Sequence, residues 1–254
     1  MTAPFRAWSK HKENRCTPDE IPAYWKTHDV LTFLADTGMY DVSLYQGLDT
    51  AEKEQVLQFK SDYFKKRFTV SRNLVKCILR HIPGTGDRAD IVLSRARRRI
   101  LVDGWQDIFM SLSYTGSCIA ITVGKRKIGS DIERVRPLNI MKIRSSPLFE
   151  NLKSGNGKSR NQHLLHVWTL LEAYAKFHDM SLYPLMEDRF FLPDTHFVSY
   201  LIDQRSLFSL ACDSRPMKDT LLWIDPGCWL ASCVVENKAT GSSPFIDGDT
   251  DVRA

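Results

Sequence analysis

Two carboxylates spaced two apart, Asp131 and Glu133, close the segment Ile128-Gly-Ser-Asp-Ile-Glu133. Side chains alternate faces along a strand, so this pair projects from one face while Ile132 points to the other. Like charges held side by side repel unless a cation lies between them. The pair reads either as solvated charges of an edge strand or as two oxygen ligands of a hard cation. A second spacing bears on that choice. In His163-Leu-Leu-His-Val-Trp-Thr-Leu-Leu-Glu-Ala-Tyr-Ala-Lys176, the residues Trp168, Glu172 and Lys176 follow one another at i, i+4 and share one helix face. That face offers either an exposed Glu–Lys pair, worth about 0.3–0.5 kcal/mol, or a third carboxylate. In the second case Glu172 meets Asp131 and Glu133 around Mg2+, an ion that takes oxygen ligands and shares them with substrate phosphates.

The elements that must position these residues follow from pattern. Cys118–Val123 and Lys127–Glu133, rich in Ile, Val and Thr, flank Gly124-Lys125-Arg126 and predict a hairpin. Asp29–Ala35 reads as a strand ended by Asp36-Thr37-Gly38. Asp49 or Thr50 caps a helix with Glu52-Lys53-Glu54 in its first turn. Val56, Phe59, Tyr63, Phe64, Phe68, Leu74, Val75, Ile78 and Leu79 keep helical spacing, interleaved with Lys65, Lys66, Arg67, Arg72 and Lys76. Short strands at 91–93 and 100–102 flank Arg95, Arg97, Arg98 and Arg99. After the helix at 163–177, short β-type runs at 197–202, 207–212, 221–224 and 229–235 predict an antiparallel sheet. Residues 1–27, with Pro4, Pro18 and Pro22, read as a loosely held arm, and 241–254 as a disordered tail.

Ile128-Gly-Ser-Asp-Ile-Glu133 followed by Trp168-Thr-Leu-Leu-Glu-Ala-Tyr-Ala-Lys176 resembles the paired signatures of the 4′-phosphopantetheinyl transferases of the surfactin-synthetase-activator type. Ser111-Leu-Ser-Tyr-Thr-Gly116 is similar to the family's Ser-His-Ser-Gly segment, and residues 52–79 to its N-terminal helix pair. Asp225-Pro-Gly227 with Trp229–Val235 resembles its closing strand, so the likeness runs from about residue 29 to 236. Three departures stand out: Leu171 where the family carries lysine, Tyr114 where it carries histidine, and Arg97-Arg98-Arg99 in place of an upstream Gly-Lys-Pro.

The resemblance implies an α+β fold with a pseudo-twofold duplication, each half an antiparallel sheet packed with helices. The halves fall at 28–123 and 124–240, with coenzyme A in the cleft between them. It implies Mg2+-dependent transfer of the 4′-phosphopantetheine arm of coenzyme A to a serine of an apo acyl or peptidyl carrier protein, with release of 3′,5′-ADP. Carried over, Asp131, Glu133 and Glu172 hold the metal, Glu172 is the general base and Lys176 serves the pyrophosphate. Ser113 and Tyr114 donate hydrogen bonds to phosphate, while Arg67, Arg72 and Arg98 face the coenzyme's phosphates. The rival reading is a weakened or inactive homologue that keeps a coenzyme A or partner site.

Composition agrees with a globular chain. The 254 residues are 43% hydrophobic and 26% charged, with a formal net charge of +5. That mild excess favours an anionic partner, and the Arg95–Arg99 run, which lacks the interleaved aromatics of a nucleic-acid site, reads as a clamp for nucleotide phosphate or a dock for an acidic carrier protein. No stretch reaches the length of a membrane span. The six cysteines show no CxxC spacing and read as reduced core residues of a cytosolic protein. The duplicated fold predicts a monomer. Gly155-Asn-Gly-Lys-Ser159 imitates the end of a P-loop, but no strand precedes it, so it reads as a loop insertion.

Overall fold

Two mixed β-sheets packed against helices make the protein α+β. The computed structural model describes residues 6–8, 15–40, 47–84, 93–96, 99–102, 107–136, 157–182, 185, 195–213, 218–224 and 229. In chain order the elements are β1 (Arg6–Trp8), β2 (Arg15–Cys16), α1 (Ile21–Thr27), β3 (Val30–Asp36), α2 (Thr50–Gln58) and α3 (Asp62–Arg80). Then come β4 (Leu93–Ala96), β5 (Arg99–Val102), β6 (Phe109–Thr115), β7 (Cys118–Gly124) and β8 (Ile128–Arg134). Helix α4 (Gly157–His178) precedes β9 (His196–Ile202), β10 (Ser206–Cys212) and β11 (Asp219–Ile224). The larger sheet runs β2-β11-β3-β7-β6-β5-β4 and the smaller β1-β9-β10-β8.

Strand β3 shows why the layers stack. It is buried on both faces, so it reads as a continuous apolar run instead of an alternating one. Leu31, Phe33 and Ala35 join α3 residues Val70, Leu74 and Ile78 in one core. Val30 and Leu34 turn the other way, into a second core with Ile128, Ile132, Phe208 and Leu210 of the smaller sheet. On that sheet's outer face, Ala211 meets Ala173 and Phe177 of α4. Helix, sheet, sheet and helix follow in that order.

Several expectations hold: the strand at 29–35, the capped helix at 50, and the helix over 163–177, which begins earlier at Gly157 and takes in part of the P-loop-like fragment. The expected helical zone breaks at Phe59 into α2 and α3. Others need correction. β7 and β8 do not pair; β7 lies between β3 and β6, and β8 pairs with β10. The hairpin is β6–β7, turned at Gly116, whose φ of +55° suits glycine. Nor is the C-terminal sheet wholly antiparallel, because β11 runs parallel to β3 in the larger sheet.

Residues 6–8 and 15–27 are ordered elements where a loose arm was expected. β1 adds to β9, β2 adds to β11, and α1 buries Ile21 and Trp25. Pro18 and Pro22 occupy helix starts, where a missing N–H costs nothing, so they do not mark a loose chain. Cys77 is disulfide-bonded, which corrects the expectation of reduced cysteines throughout, while Cys16, Cys118 and Cys212 are free. Such a bridge depends on three-dimensional proximity that spacing does not report. Among the described residues no helix is long and apolar enough to cross a membrane.

Candidate active site

β8 is the last strand of the smaller sheet, so alternate backbone amides along its free edge need partners from outside. Strand β6 supplies them with side chains. The Ser130 amide donates to Ser111 Oγ at 2.9 Å, the Ile132 amide to Ser113 Oγ at 3.1 Å and the Arg134 amide to Thr115 Oγ1 at 2.7 Å. The other face of β8 lies directly against α4. A Cβ on Gly129 would sit 2.1 Å from the Ala173 carbonyl oxygen and 2.3 Å from the Phe177 nitrogen, so only glycine permits this approach.

That approach brings the acidic residues to the helix stripe read from the sequence. Lys176 Nζ donates to Asp131 Oδ1 at 2.8 Å and to the Ser130 carbonyl at 2.9 Å. Ser113 Oγ donates to the same Asp131 oxygen at 2.7 Å, and Asp131 Oδ2 is buried without a hydrogen-bond partner. Burial pushes the Glu133 carboxyl above its usual range. Asp131 and Glu172 push it further, while Arg136 and Lys176 pull it back. Three carboxylates, Asp131, Glu133 and Glu172, stand here against two cations, Lys176 and Arg136.

The facing wall comes from α2 and α3. The Arg67 guanidinium stacks over Tyr114 at 4.6 Å and Phe64 at 4.9 Å. Tyr114 donates its hydroxyl to Ser71 Oγ at 3.0 Å, which ties the ring that carries Arg67 back to α3. Arg72 lies over Phe68 and 3.7 Å from Glu52 Oε1. Glu52 in turn takes Lys76 Nζ at 2.6 Å and closes the α2 capping box with Asp49. The Arg72 Nη1 group is buried without a hydrogen-bond partner.

A cavity of about 500 Å³ lies between these walls. Arg67, Arg72, Ser113, Tyr114, Asp131, Glu133, Glu172 and Lys176 all line it, together with Gln55, Phe59 and Trp168. Arg98 lies outside the described residues, as do the side chains of Arg95, Arg97 and Arg99. Sequence reasoning missed Glu52 as the partner of Arg72, because its cap role already explained it. Leu171, one of the departures, is buried on another face of α4 with Leu164, Val167 and Tyr174, away from the cavity. His166 is also buried; its ring bonds Ser199 Oγ at 2.8 Å, and burial followed by the nearby His163 pushes its pKa down to about 4.

The acidic end suits a hard divalent cation in its donor chemistry: carboxylate oxygens, one of them buried and unpartnered, with charge in excess. Among the described residues no group of three or more His, Cys, Asp or Glu side chains is placed so that it could hold a metal ion. Magnesium usually completes its shell with water and substrate phosphate, so a site of this kind would need fewer protein ligands than a closed one.

No protein-family model matches the chain. One stretch is 34% identical over 70 residues to heat shock factor protein 3 of Gallus gallus, covering 23% of this chain and 15% of that protein. The chain thus spans about 15% of that relative's length, too little to assign a family.

Proposed function

We propose that the protein is a 4′-phosphopantetheinyl transferase acting on coenzyme A and the serine of an acidic acyl or peptidyl carrier protein. The observation that carries this reading is that one cavity is lined by Arg67 and Arg72 on one wall and by Asp131, Glu133, Glu172 and Lys176 on the other. A long ligand with phosphates at separate points suits such a division of charge. The arginines bind phosphate, which guanidinium groups do well in bidentate geometry. At the acidic end Asp131, Glu133 and Glu172 would hold Mg2+, which neutralises charge on the pyrophosphate oxygens when bound.

In the reaction, Glu172 takes the proton from the carrier serine as its oxygen bonds to phosphorus of the pantetheine-linked phosphate. The bond from that phosphorus to the bridging oxygen breaks, and 3′,5′-ADP leaves. Lys176 adds positive charge near the leaving group. The reading includes the pseudo-twofold duplication, α3 with the larger sheet answering α4 with the smaller, and a monomeric cytosolic protein. An inactive homologue gains no support from Leu171, whose side chain is in the core and not in the cavity.

Calorimetric titration of coenzyme A in Mg2+ tests the cavity assignment. One site is expected, weakened about tenfold or more in Arg67→Met or Arg72→Met, as for loss of a charge-assisted contact. Absence of binding would remove the assignment.

A further inference from the structure

The serine read from the sequence as a phosphate donor is engaged elsewhere. Ser113 has one hydroxyl hydrogen, and it goes to Asp131 Oδ1 at 2.7 Å. Its oxygen meanwhile accepts the Ile132 amide at 3.1 Å, and the residue is 4% exposed. Ser111 and Thr115, two residues away on either side, bond the next alternate amides of β8 in the same manner. Side chains two apart on β6 share one face, and their repeat matches that of the unpaired amides on the β8 edge. The three hydroxyls do what a neighbouring strand would do, and they join the two sheets. Ser113 alone in this ladder also grips a cavity carboxylate.

The geometry points to Ser113 as a positioning residue: it orients the Asp131 carboxylate for a divalent cation through the β6–β8 hydroxyl ladder and leaves phosphate to other groups. This rests on the transferase reading for the identity of the ion. With Oδ1 held by Ser113 and Lys176, the carboxylate cannot rotate freely, and its unpartnered Oδ2 is the oxygen left for a cation. Partners behind a metal ligand that fix its orientation typically matter about 10–100-fold in metal affinity.

The test measures two affinities on the full chain carrying Ser113→Ala. Mn2+ uptake, with and without coenzyme A, is followed by loss of the free-ion electron paramagnetic resonance signal; coenzyme A binding is measured by calorimetry in EDTA. Mn2+ affinity is expected to fall about tenfold or more while coenzyme A affinity in EDTA stays within about twofold. Ser111→Ala is the control, since its hydroxyl serves only the Ser130 backbone. It should lose stability to a similar degree and keep its Mn2+ affinity. Coenzyme A affinity falling in EDTA with Mn2+ affinity intact would overturn the inference and return Ser113 to the phosphate, and equal Mn2+ losses in both variants would overturn it too. If Ser113→Ala does not fold, Ser113→Cys, which keeps a weak donor, faces the same contrast. Wild-type protein that binds Mn2+ but no coenzyme A would remove the transferase reading while the Mn2+ comparison still decides the role of Ser113. Binding of neither removes both.

Discussion

The two walls of the cavity handle buried charge in opposite ways. On the α3 wall, Arg72 and Lys76 are matched by Glu52 and Asp49 within the protein, at 2.6 to 3.7 Å. On the β8–α4 wall, Lys176 stands among Asp131, Glu133 and Glu172, and burial, with Asp131 and Glu172 adding to it, raises the Glu133 carboxyl. On the first wall Lys76 and Arg72 lean on acidic partners, while Arg67 stacks on Phe64 and Tyr114 and Arg72 Nη1 stays without a hydrogen-bond partner, which leaves guanidinium charge for a ligand. The second sets three carboxylates against two cations, Lys176 and Arg136, a balance that favours uptake of an external cation. A buried internal pair holds geometry; an unbalanced set stores a binding capacity.

The comparison can be broken most severely on the α3 wall. Lys76→Met leaves Glu52, 4% exposed, without its shortest ionic contact. Removing one partner of a buried pair costs about 3–5 kcal/mol, readable in urea unfolding; a loss under about 1 kcal/mol would mean that solvent already compensates Glu52. Gly129→Ala comes next. The new methyl would press on backbone atoms of α4, and about 1–3 kcal/mol should be lost. Hydrogen exchange should quicken in β8 and α4 together, whereas unchanged exchange there would deny that the close approach positions the acidic wall.

Glu133→Gln has the smallest effect, with the opposite sign. A carboxyl whose folded pKa is raised holds its proton more tightly in the folded state than in the unfolded one. The fold therefore loses stability as pH rises through that raised value, and the loss is absent below the ordinary glutamate range. The neutral variant should melt above the wild type at neutral pH and without divalent ions, and the difference should vanish in acid. Identical melting curves at neutral pH would show that Glu133 carries no uncompensated charge.

Much of the site was legible from local rules. The i, i+4 stripe of Trp168, Glu172 and Lys176 follows from helix geometry, and all three line the cavity. The strand alternation that pairs Asp131 with Glu133 likewise needs no tertiary information. What strand patterns omit is the identity of the neighbour. β7 and β8 are adjacent in sequence and both apolar, yet a register argument cannot tell a hairpin from a crossing between sheets. β8 could make that crossing because Ser111, Ser113 and Thr115 satisfy its amides with side chains. The β1 and β2 additions are long-range pairings of two or three residues, below any periodic signal. Glu52 was legible as a cap and not as a counter-ion, since the second role depends on α3 packing across it.

The central claim is transfer, and intact mass spectrometry of an apo carrier protein reads it most directly. The carrier is incubated with this protein, coenzyme A and Mg2+, beside a parallel incubation with Glu172→Gln. The expected result is a gain of one phosphopantetheine on the carrier with the wild-type protein and none with the variant. An unmodified carrier across acyl and peptidyl types, with coenzyme A bound in the cavity, would contradict the transferase reading.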